Sequence, residues 1–226
     1  MGLPHPFFPT DIELPHYAVS SRPLHHDLAI FLSALVLVVV VASVLSSIAR
    51  AAAASATSAA PWQLVPPDWR VVWWSLNGSI HCFFEGYFVW NHKHIAADTS
   101  VIASVWKEYA LSDSRYMTAD PFLISVESIT ATLIGPLCFL QAYLTLRSRP
   151  AQYPLTLIIS VLHIFSCTLY YATTFFEGHG QAPHCKPGWL YLGFYFLFLN
   201  AFWILIPAFL IRQDVGRIMR ALRAVE

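Results

Sequence analysis

The residues of this chain best suited to chemistry are a histidine and a glutamate four positions apart in an apolar stretch. His81 and Glu85 lie in the sequence IHCFFEGYF, which starts at Ile80. On a helix, residues i and i+4 lie on one face, so the imidazole and the carboxyl are predicted to point the same way. An ionisable group at membrane depth is costly and marks a functional site by default. The alternative is a polar contact between helices that only fixes their packing.

A second embedded glutamate, Glu127, lies in the sequence SVESITAT, where Thr130 shares its helical face. Asn200 and Trp203 are likewise three positions apart in the last apolar segment. A carboxyl in apolar surroundings resists ionisation and can act as a general acid, and a second group can take a proton elsewhere on the substrate. An indole face stabilises a positive intermediate. This set of side chains fits the addition of a proton to a carbon skeleton and its removal.

The composition indicates what kind of molecule carries these residues. The chain is 57% hydrophobic and only 12% charged, against about 25% charged residues in ordinary soluble domains. We predict an all-α membrane protein, a bundle of five transmembrane helices around an intramembrane ligand cavity. The net charge is zero and no basic stripe occurs, so nucleic acid is not an expected partner. The four cysteines show no CxxC spacing and predict no disulfide framework.

The predicted organisation has three parts. Residues 1–27 are rich in proline and histidine and read as an irregular N-terminal cap, whose histidines are surface residues rather than metal ligands. Residues 28–212 form the five-span domain, and residues 213–226 form a C-terminal tail. The spans are expected at about 28–48, 71–90, 121–143, 155–176 and 189–211. An Ala-rich linker, residues 51–60, is followed by prolines that end any helix there.

The depths of the polar residues predict that they meet. The second and third spans are joined by one loop, so they are antiparallel. Glu85 lies about five residues from that loop and Glu127 about six, which places both roughly 8–9 Å below the same surface at the helical rise. His81 lies one turn deeper, and Asn200 and Trp203 lie near the middle of the fifth span. The five side chains are therefore expected to converge on one cavity.

The distribution of basic residues predicts the orientation. Five spans place the termini on opposite sides of the membrane. The side of the C-terminus then carries eight arginines, whereas the other side carries five arginines and lysines. This excess favours a cytosolic C-terminus under the positive-inside rule.

Several motifs of the chain resemble those of a known family. The chain resembles the emopamil-binding-protein family, the sterol Δ8–Δ7 isomerases of the endoplasmic reticulum. The resemblance covers about residues 70 to 210 in the family's order and spacing. The matching stretches are IH with EGYFV at 80–89, WKEY at 106–109, DSRY at 113–116, VESITA at 126–131, GP at 135–136, and NAFW at 200–203 with Pro207.

The resemblance implies a five-helix bundle in the endoplasmic reticulum membrane that isomerises a ring double bond without a cofactor or metal. The substrate would be a lipophilic, sterol-like molecule, cationic amines would inhibit, and homodimer formation is left open. The residues implied as catalytic are His81, Glu85, Glu127, Thr130, Asn200 and Trp203. Those implied to close the cavity or to meet the sterol hydroxyl are Tyr109, Asp113, Arg115 and Tyr116. Outside this pattern, His163 is expected to be a core histidine with satisfied polar atoms.

Three other functions compete with a sterol isomerase. The same fold and acid chemistry would serve another polycyclic lipid of specialised metabolism. A non-catalytic binder of sterols or amines would keep the cavity and need no acid. A metal-dependent membrane oxidoreductase would use His81 and Glu85 as ligands, but such enzymes need several His-rich boxes and only one embedded pair occurs.

Overall fold

The computed structural model describes residues 4–55 and 68–224 and contains no β-strand within those ranges. Eight α-helices account for most of them, as the composition predicts. The α-helices are α1 (Leu24–Ser55), α2 (Asp68–Ser79), α3 (Gly86–Asn91), α4 (Val101–Tyr109), α5 (Pro121–Ile129), α6 (Gly135–Leu146), α7 (Gln152–Glu177) and α8 (Leu199–Arg223). Three π-helical segments continue them without a break: π1 (Ile80–Glu85), π2 (Thr130–Ile134) and π3 (Trp189–Phe198).

Four helices are long and apolar enough to cross a membrane, judged by length and composition. They are Leu24–Ala52, Pro121–Leu146, Gln152–Glu177 and Trp189–Arg223. On the first of these only 6% of the apolar window is buried, and Val36 and Leu37 are among its exposed side chains. Such a surface is suited to contact with lipid. The molecule is therefore an all-helical protein with a membrane-embedded bundle.

The helix predicted as the second span is the exception. It runs through α2, π1 and α3, from Asp68 to Asn91, but it is not among the four helices above. The reason is its composition, because it carries Asn77, His81 and Glu85. The prediction of five spans is therefore confirmed only in part, because four helices qualify by length and composition and the predicted second span does not.

Helix ends depart from the predicted boundaries in both directions. The helix α1 starts four residues earlier than the predicted first span and continues to Ser55, into the Ala-rich segment expected to be a linker. The rest of that linker and its prolines, residues 56–67, lie outside the described residues. The helix α8 continues to Arg223, so most of the predicted tail is helical. Alanine is the strongest helix former, which accounts for the extension of α1.

Two of the π-helical segments, π1 and π2, carry polar residues of the cavity that is described below. A π segment adds a residue to a helical turn and is frequent at functional sites. Gly135 follows π2, and a Cβ atom there would lie 2.5 Å from Cys82 Sγ and 3.0 Å from the His81 Cβ. The absence of a side chain therefore allows the backbone after π2 to approach π1. Pro136 at the start of α6 needs no hydrogen bond from its nitrogen, so it is tolerated there.

The polar segment between the second and third spans is folded and covers one end of the bundle. Ser100 caps α4 by accepting from the Ala103 amide, and Asp120 caps α5 by accepting from the Leu123 amide. The N-terminal residues pack over this segment as a cap, with Phe7 and Tyr17 buried. Residues 4–23 form no helix or strand. Several buried residues of the two parts form one hydrophobic cluster.

A second buried polar cluster lies between α2, α7 and α8, far along these helices from π1. The guanidinium of Arg70 donates to both carboxylate oxygens of Asp214, at 3.0 Å for Oδ1. Both side chains are 0% exposed. Arg217 donates to the same carboxylate at 2.9 Å, and Thr156 accepts from Arg70 at 3.4 Å. The cluster holds three helices together through a compensated charge pair.

Candidate active site

The polar residues singled out from the sequence face one cavity of about 540 Å³. This volume lies in the range of small-molecule sites. Its wall is mostly apolar and aromatic and is built from α1, π1, α4, the segment of Tyr116, α5, π2, α7, π3 and α8. The side chains on it include all six that were predicted to be catalytic: His81, Glu85, Glu127, Thr130, Asn200 and Trp203.

The His81–Glu85 pair is formed as the spacing predicts. His81 Nδ1 lies 2.6 Å from Glu85 Oε2, and the two side chains are 3% and 13% exposed. Both residues belong to π1, which turns them toward the cavity. The residual exposure of Glu85 faces the cavity it lines, so a ligand there can reach the carboxyl.

Glu127 is held beside this pair by two hydroxyl groups. Tyr116 donates to Glu127 Oε1 at 2.6 Å, and Thr130 lies 3.1 Å from Oε2 while also donating to the Glu127 carbonyl at 2.9 Å. Burial and the neighbouring Glu127 charge raise the pKa of the Tyr116 phenol well above its usual value. Tyr116 therefore keeps its proton and remains a hydrogen-bond donor to the carboxyl.

The two carboxyl groups lie close enough to interact. Glu85 and Glu127 face each other with Thr130 beside both of them. Two carboxylates side by side in an apolar cavity repel strongly, whereas a carboxyl and a carboxylate can share a proton. Glu85 has the imidazole of His81 as its partner, and Glu127 has only hydroxyl donors. The cavity therefore contains two different units able to exchange a proton.

Asn200 and Trp203 complete the wall on α8. Asn200 Nδ2 lies 2.9 Å from the Tyr109 hydroxyl and 2.7 Å from the Phe196 carbonyl. The Trp203 ring centroid is 6.3 Å from that of His81. Its indole nitrogen is buried without a hydrogen-bond partner among the described residues. Asn200 is thus fixed by its neighbours, and Trp203 presents an aromatic surface beside the proton-exchanging groups.

The four residues implied to bind substrate divide into two groups. Tyr109 and Tyr116 line the cavity. Asp113 and Arg115 do not, because they pair with each other, with Arg115 Nη2 at 2.6 Å from Asp113 Oδ2. Arg115 also donates to Thr174 on α7. The structure therefore places this ion pair behind the tyrosines, where it fastens the polar segment to the bundle.

The sequence reasoning missed one residue of the site, His163 on α7. It was expected to be a core histidine with satisfied polar atoms, and that expectation is wrong in one respect. His163 is buried, but its Nε2 lies 3.0 Å from His81 Nε2 and it lines the cavity. Its Nδ1 has no hydrogen-bond partner in the described part of the chain. The signal that could have located it is the spacing of polar residues along α7, at 152, 156, 160 and 163.

One group of side chains in the described residues has the make-up of a metal site. His81, Cys138 and His163 each offer a ligand atom, and these atoms lie within 4.8 Å of one another. The close approach of the two imidazole nitrogens also has a simpler account, a hydrogen bond between a donor and an acceptor. All four cysteines are free thiols.

The fold and the cavity define a class: a helical membrane protein whose embedded site carries paired acid–base groups and an aromatic wall. Comparison with known proteins agrees. A model of the EXPERA family (EXPanded EBP superfamily) matches residues 101–213. A 3β-hydroxysteroid-Δ8,Δ7-isomerase of Cavia porcellus is 32% identical over 98% of this chain and 92% of its own length. The corresponding isomerase of Rattus norvegicus is 31% identical over 96% and 90%.

A relative named as a synthase is similar over a shorter stretch. Isomeliandiol synthase of Melia azedarach is 33% identical over 62% of this chain and 65% of its own length. Taken together, the family match and the isomerases aligned over nearly the full length are decisive. This chain belongs to the EXPERA family, the expanded EBP superfamily.

Proposed function

We propose that this protein is a sterol Δ8–Δ7 isomerase. The observation that carries the proposal is the close approach of the His81–Glu85 pair and Glu127 in one apolar cavity. The similarity to steroid isomerases over nearly the whole chain supports it. Moving a ring double bond needs one group that gives a proton to one carbon and a second that removes a proton from another. The two units of the cavity meet that requirement without a cofactor.

The proposed reaction conserves protons. A proton is added at C9 of the Δ8-sterol, the π electrons form the new C–H bond, and a carbocation remains at C8. Loss of the proton at C7 then gives the Δ7 double bond. One of the two units, His81–Glu85 or Glu127, supplies the first proton and the other accepts the second. A proton returned between them or through solvent restores the starting state.

The remaining predicted residues receive supporting roles. Thr130 and Tyr116 orient Glu127 through its two oxygens. Asn200 fixes the Tyr109 hydroxyl. The Trp203 ring lies beside the imidazole and offers its π-face to the carbocation, an interaction worth about 2 kcal/mol or more where water is excluded. An ammonium group imitates that charge, so cationic amines are proposed as inhibitors.

The membrane arrangement completes the proposal. We place five spans in the bilayer, counting the polar helix from Asp68 to Asn91, because α2 packs against α1 and α6. The predicted division into a cap (1–27), a five-span domain (28–212) and a tail (213–226) is retained. The location is the endoplasmic reticulum membrane with a cytosolic C-terminus, on the arginine distribution. Homodimer formation stays a prediction.

A direct assay tests this function. Purified protein in detergent is incubated with a Δ8-sterol, and the product is identified by mass spectrometry and NMR. The expected product is the Δ7 isomer. In cells, deletion of the gene should lead to accumulation of Δ8-sterols, and normal sterol composition in the deletion strain would contradict a role in primary sterol synthesis.

A second candidate is an isomerase or cyclase that acts on another polycyclic lipid. The similarity to isomeliandiol synthase favours it, because the name of that relative gives it a different product. The cavity is apolar in either case. Triterpenoid substrates assayed beside the Δ8-sterol separate the two, since turnover of a triterpenoid alone would replace the first proposal with the second.

A further inference from the structure

The buried face of α7 carries a stripe of polar residues that the proposed chemistry has not used. Its members recur at helical spacing and are all buried: Gln152, Thr156, Ser160, His163, Tyr170 and Thr174. Some have partners, since Thr156 meets Gln141 and Arg70, and Thr174 meets Arg115. Three have a buried atom without a hydrogen-bond partner among the described residues, namely Ser160 Oγ, His163 Nδ1 and the Tyr170 hydroxyl. The first two lie together in the middle of the stripe.

Four buried polar atoms of α2, the helix that continues into π1, also lack partners in the described residues, and two of them concern His163. These two are Trp74 Nε1 and Asn77 Oδ1. The Trp74 ring is stacked near His163, with centroids 6.4 Å apart. Asn77 lies one helical turn before His81 and donates its amide to the Trp73 carbonyl. Buried polar atoms of this kind are usually satisfied by ordered water. The group contains a donor, two acceptors and a hydroxyl, which is a set that water can serve.

We propose that His163 is a positioning residue for His81, and that the polar pocket behind it, formed by Ser160, Trp74 and Asn77, binds water. This inference rests on the proposed function, in which the His81–Glu85 unit gains or loses a proton at each turnover. The His163 ring does not touch the reacting carbons in this account. It acts through the hydrogen bond between the two Nε2 atoms, which are 3.0 Å apart.

The positions of the hydrogens show which proton His163 must supply. When Glu85 is ionised and His81 is neutral, the His81 Nδ1 proton is donated to Glu85, so His81 Nε2 accepts and His163 Nε2 must be the donor. A neutral His163 then carries its proton on Nε2 and has none on Nδ1.

His163 Nδ1 is therefore an acceptor that needs a donor. The pocket behind the ring offers Trp74 Nε1 as a donor, Asn77 Oδ1 as an acceptor, and the Ser160 hydroxyl as either. A bound water that donates to Nδ1 and contacts these groups fixes the tautomer of His163. His163 therefore holds the His81 ring in register with Glu85.

Two nearly isosteric replacements separate this role from simple packing. In His163→Gln, the side-chain amide can turn either its oxygen or its nitrogen toward His81, so turnover should stay within about threefold of wild type. In His163→Leu neither is offered, and turnover of a Δ8-sterol should fall by about 10- to 100-fold, the usual loss for a supporting partner of a functional histidine. The KM should be unchanged within about threefold, because the substrate does not touch the hydrogen bond. His94→Gln and His94→Leu, at an exposed histidine, are the matched controls.

A measurement that needs no substrate keeps the inference separate from the proposed function. Hydrogen–deuterium exchange at the imidazole C2 position, followed by mass spectrometry across pH, reports the titration of His81. The groups near His81 that contribute to it are Glu85, Glu127, Cys138 and His163. The His81 profile should match wild type in His163→Gln and differ from it in His163→Leu. If wild type lacks isomerase activity and the profiles still differ in this way, the proposed function fails and the inference stands.

Several results would overturn the inference. Equal loss of turnover in the glutamine and leucine variants would show that His163 only fills space, and full activity in His163→Leu would show no role. Identical His81 exchange profiles in all three proteins would also show that His163 does not position His81. A stoichiometric zinc ion in purified wild type that is lost in His163→Gln would replace the hydrogen bond with a metal bridge. An experimental structure that resolves ordered water should show a water molecule within hydrogen-bond distance of His163 Nδ1. A pocket without water would contradict this part of the proposal.

Discussion

Two buried polar regions lie in the same bundle, and they differ in how their charges are compensated. In the cluster between α2, α7 and α8, the Asp214 carboxylate receives two charged guanidinium groups. In the cavity, the Glu127 carboxyl receives only hydroxyl groups and stands near a second carboxyl. A compensated pair has a fixed charge and serves structure. Glu127, which receives no charged donor among the described residues, can change its proton content without breaking a charge pair, and acid–base chemistry requires such a group.

The difference between the two regions is tested most strongly by removing the acid from the cavity. Glu127→Gln keeps the shape and the hydrogen bond from Tyr116 but cannot transfer a proton. Turnover of a Δ8-sterol should fall by about 10²- to 10⁴-fold, the usual contribution of a general acid or base. Glu85→Gln should have a loss of the same order. Initial rates on purified protein measure the effect.

The control for the carboxyl variants is their thermal stability. Both should unfold within a few degrees of wild type, because neither substitution leaves a buried charge unpaired. Turnover retained within about threefold in Glu127→Gln would contradict the acid–base assignment and favour a non-catalytic binder of sterols.

Removal of the acid from the cluster between α2, α7 and α8 should lower stability and leave turnover unchanged. Asp214→Ala leaves the Arg70 guanidinium buried without its carboxylate, which costs about 3–5 kcal/mol of unfolding free energy. For a chain of this size that corresponds to an apparent Tm lower by roughly 10 °C. The protein that remains folded should keep its turnover. Arg217→Ala is the matched control, because Arg217 is partly exposed and its pair should contribute at most about 1 kcal/mol.

A combined loss of stability and turnover in Asp214→Ala would erase the distinction between the two regions. Differential scanning fluorimetry together with rates per folded molecule decides between these outcomes.

The aromatic wall offers a smaller and more selective test. Trp203→Ala removes the π-face beside the carbocation and should slow turnover by roughly 30-fold, equivalent to about 2 kcal/mol. Trp203→Phe keeps a π-face and should be slowed only a few-fold. Equal losses in the two variants would mean that the ring acts by volume rather than by cation–π stabilisation.

The smallest expected effect concerns the contact that sets the position of π1. In Gly135→Ala the new Cβ atom would lie 2.5 Å from Cys82 Sγ and 3.0 Å from the His81 Cβ. The shift it forces should reduce turnover by about tenfold, since small displacements of catalytic groups are expensive. Gly86→Ala is the control, because its nearest contact would be 3.6 Å, ordinary van der Waals distance. Similar rates in both alanine variants would show that the position of π1 does not depend on Gly135.

The sequence was sufficient for the parts of the site that follow from spacing along single helices. His81 and Glu85 contact each other because they are four residues apart, and Glu127 and Thr130 because they are three apart. The depth comparison across one loop correctly placed Glu85 and Glu127 on a shared cavity with Asn200 and Trp203.

Features that depend on contacts between helices could not be predicted from the sequence. The π geometry of π1 depends on the approach of the backbone at Gly135, which the sequence indicates only as a flexible Gly-Pro pair. His163 has apolar neighbours in sequence, and only the packing of α7 against π1 brings it to His81. Asp113 and Arg115 resemble binding residues by type, but they satisfy each other. The Arg70–Asp214 pair joins residues 144 positions apart, and no local pattern predicts it.

The central claim is that the cavity adds a proton at one carbon of a sterol and removes one from another. The most direct test is incubation of purified protein with a Δ8-sterol in deuterated water, with the position of the label read by NMR. The account predicts a Δ7-sterol that carries deuterium at C9. A Δ7 product without deuterium at C9 would contradict solvent-exchangeable acid–base groups as the proton source, and unchanged Δ8-sterol would contradict the isomerase itself.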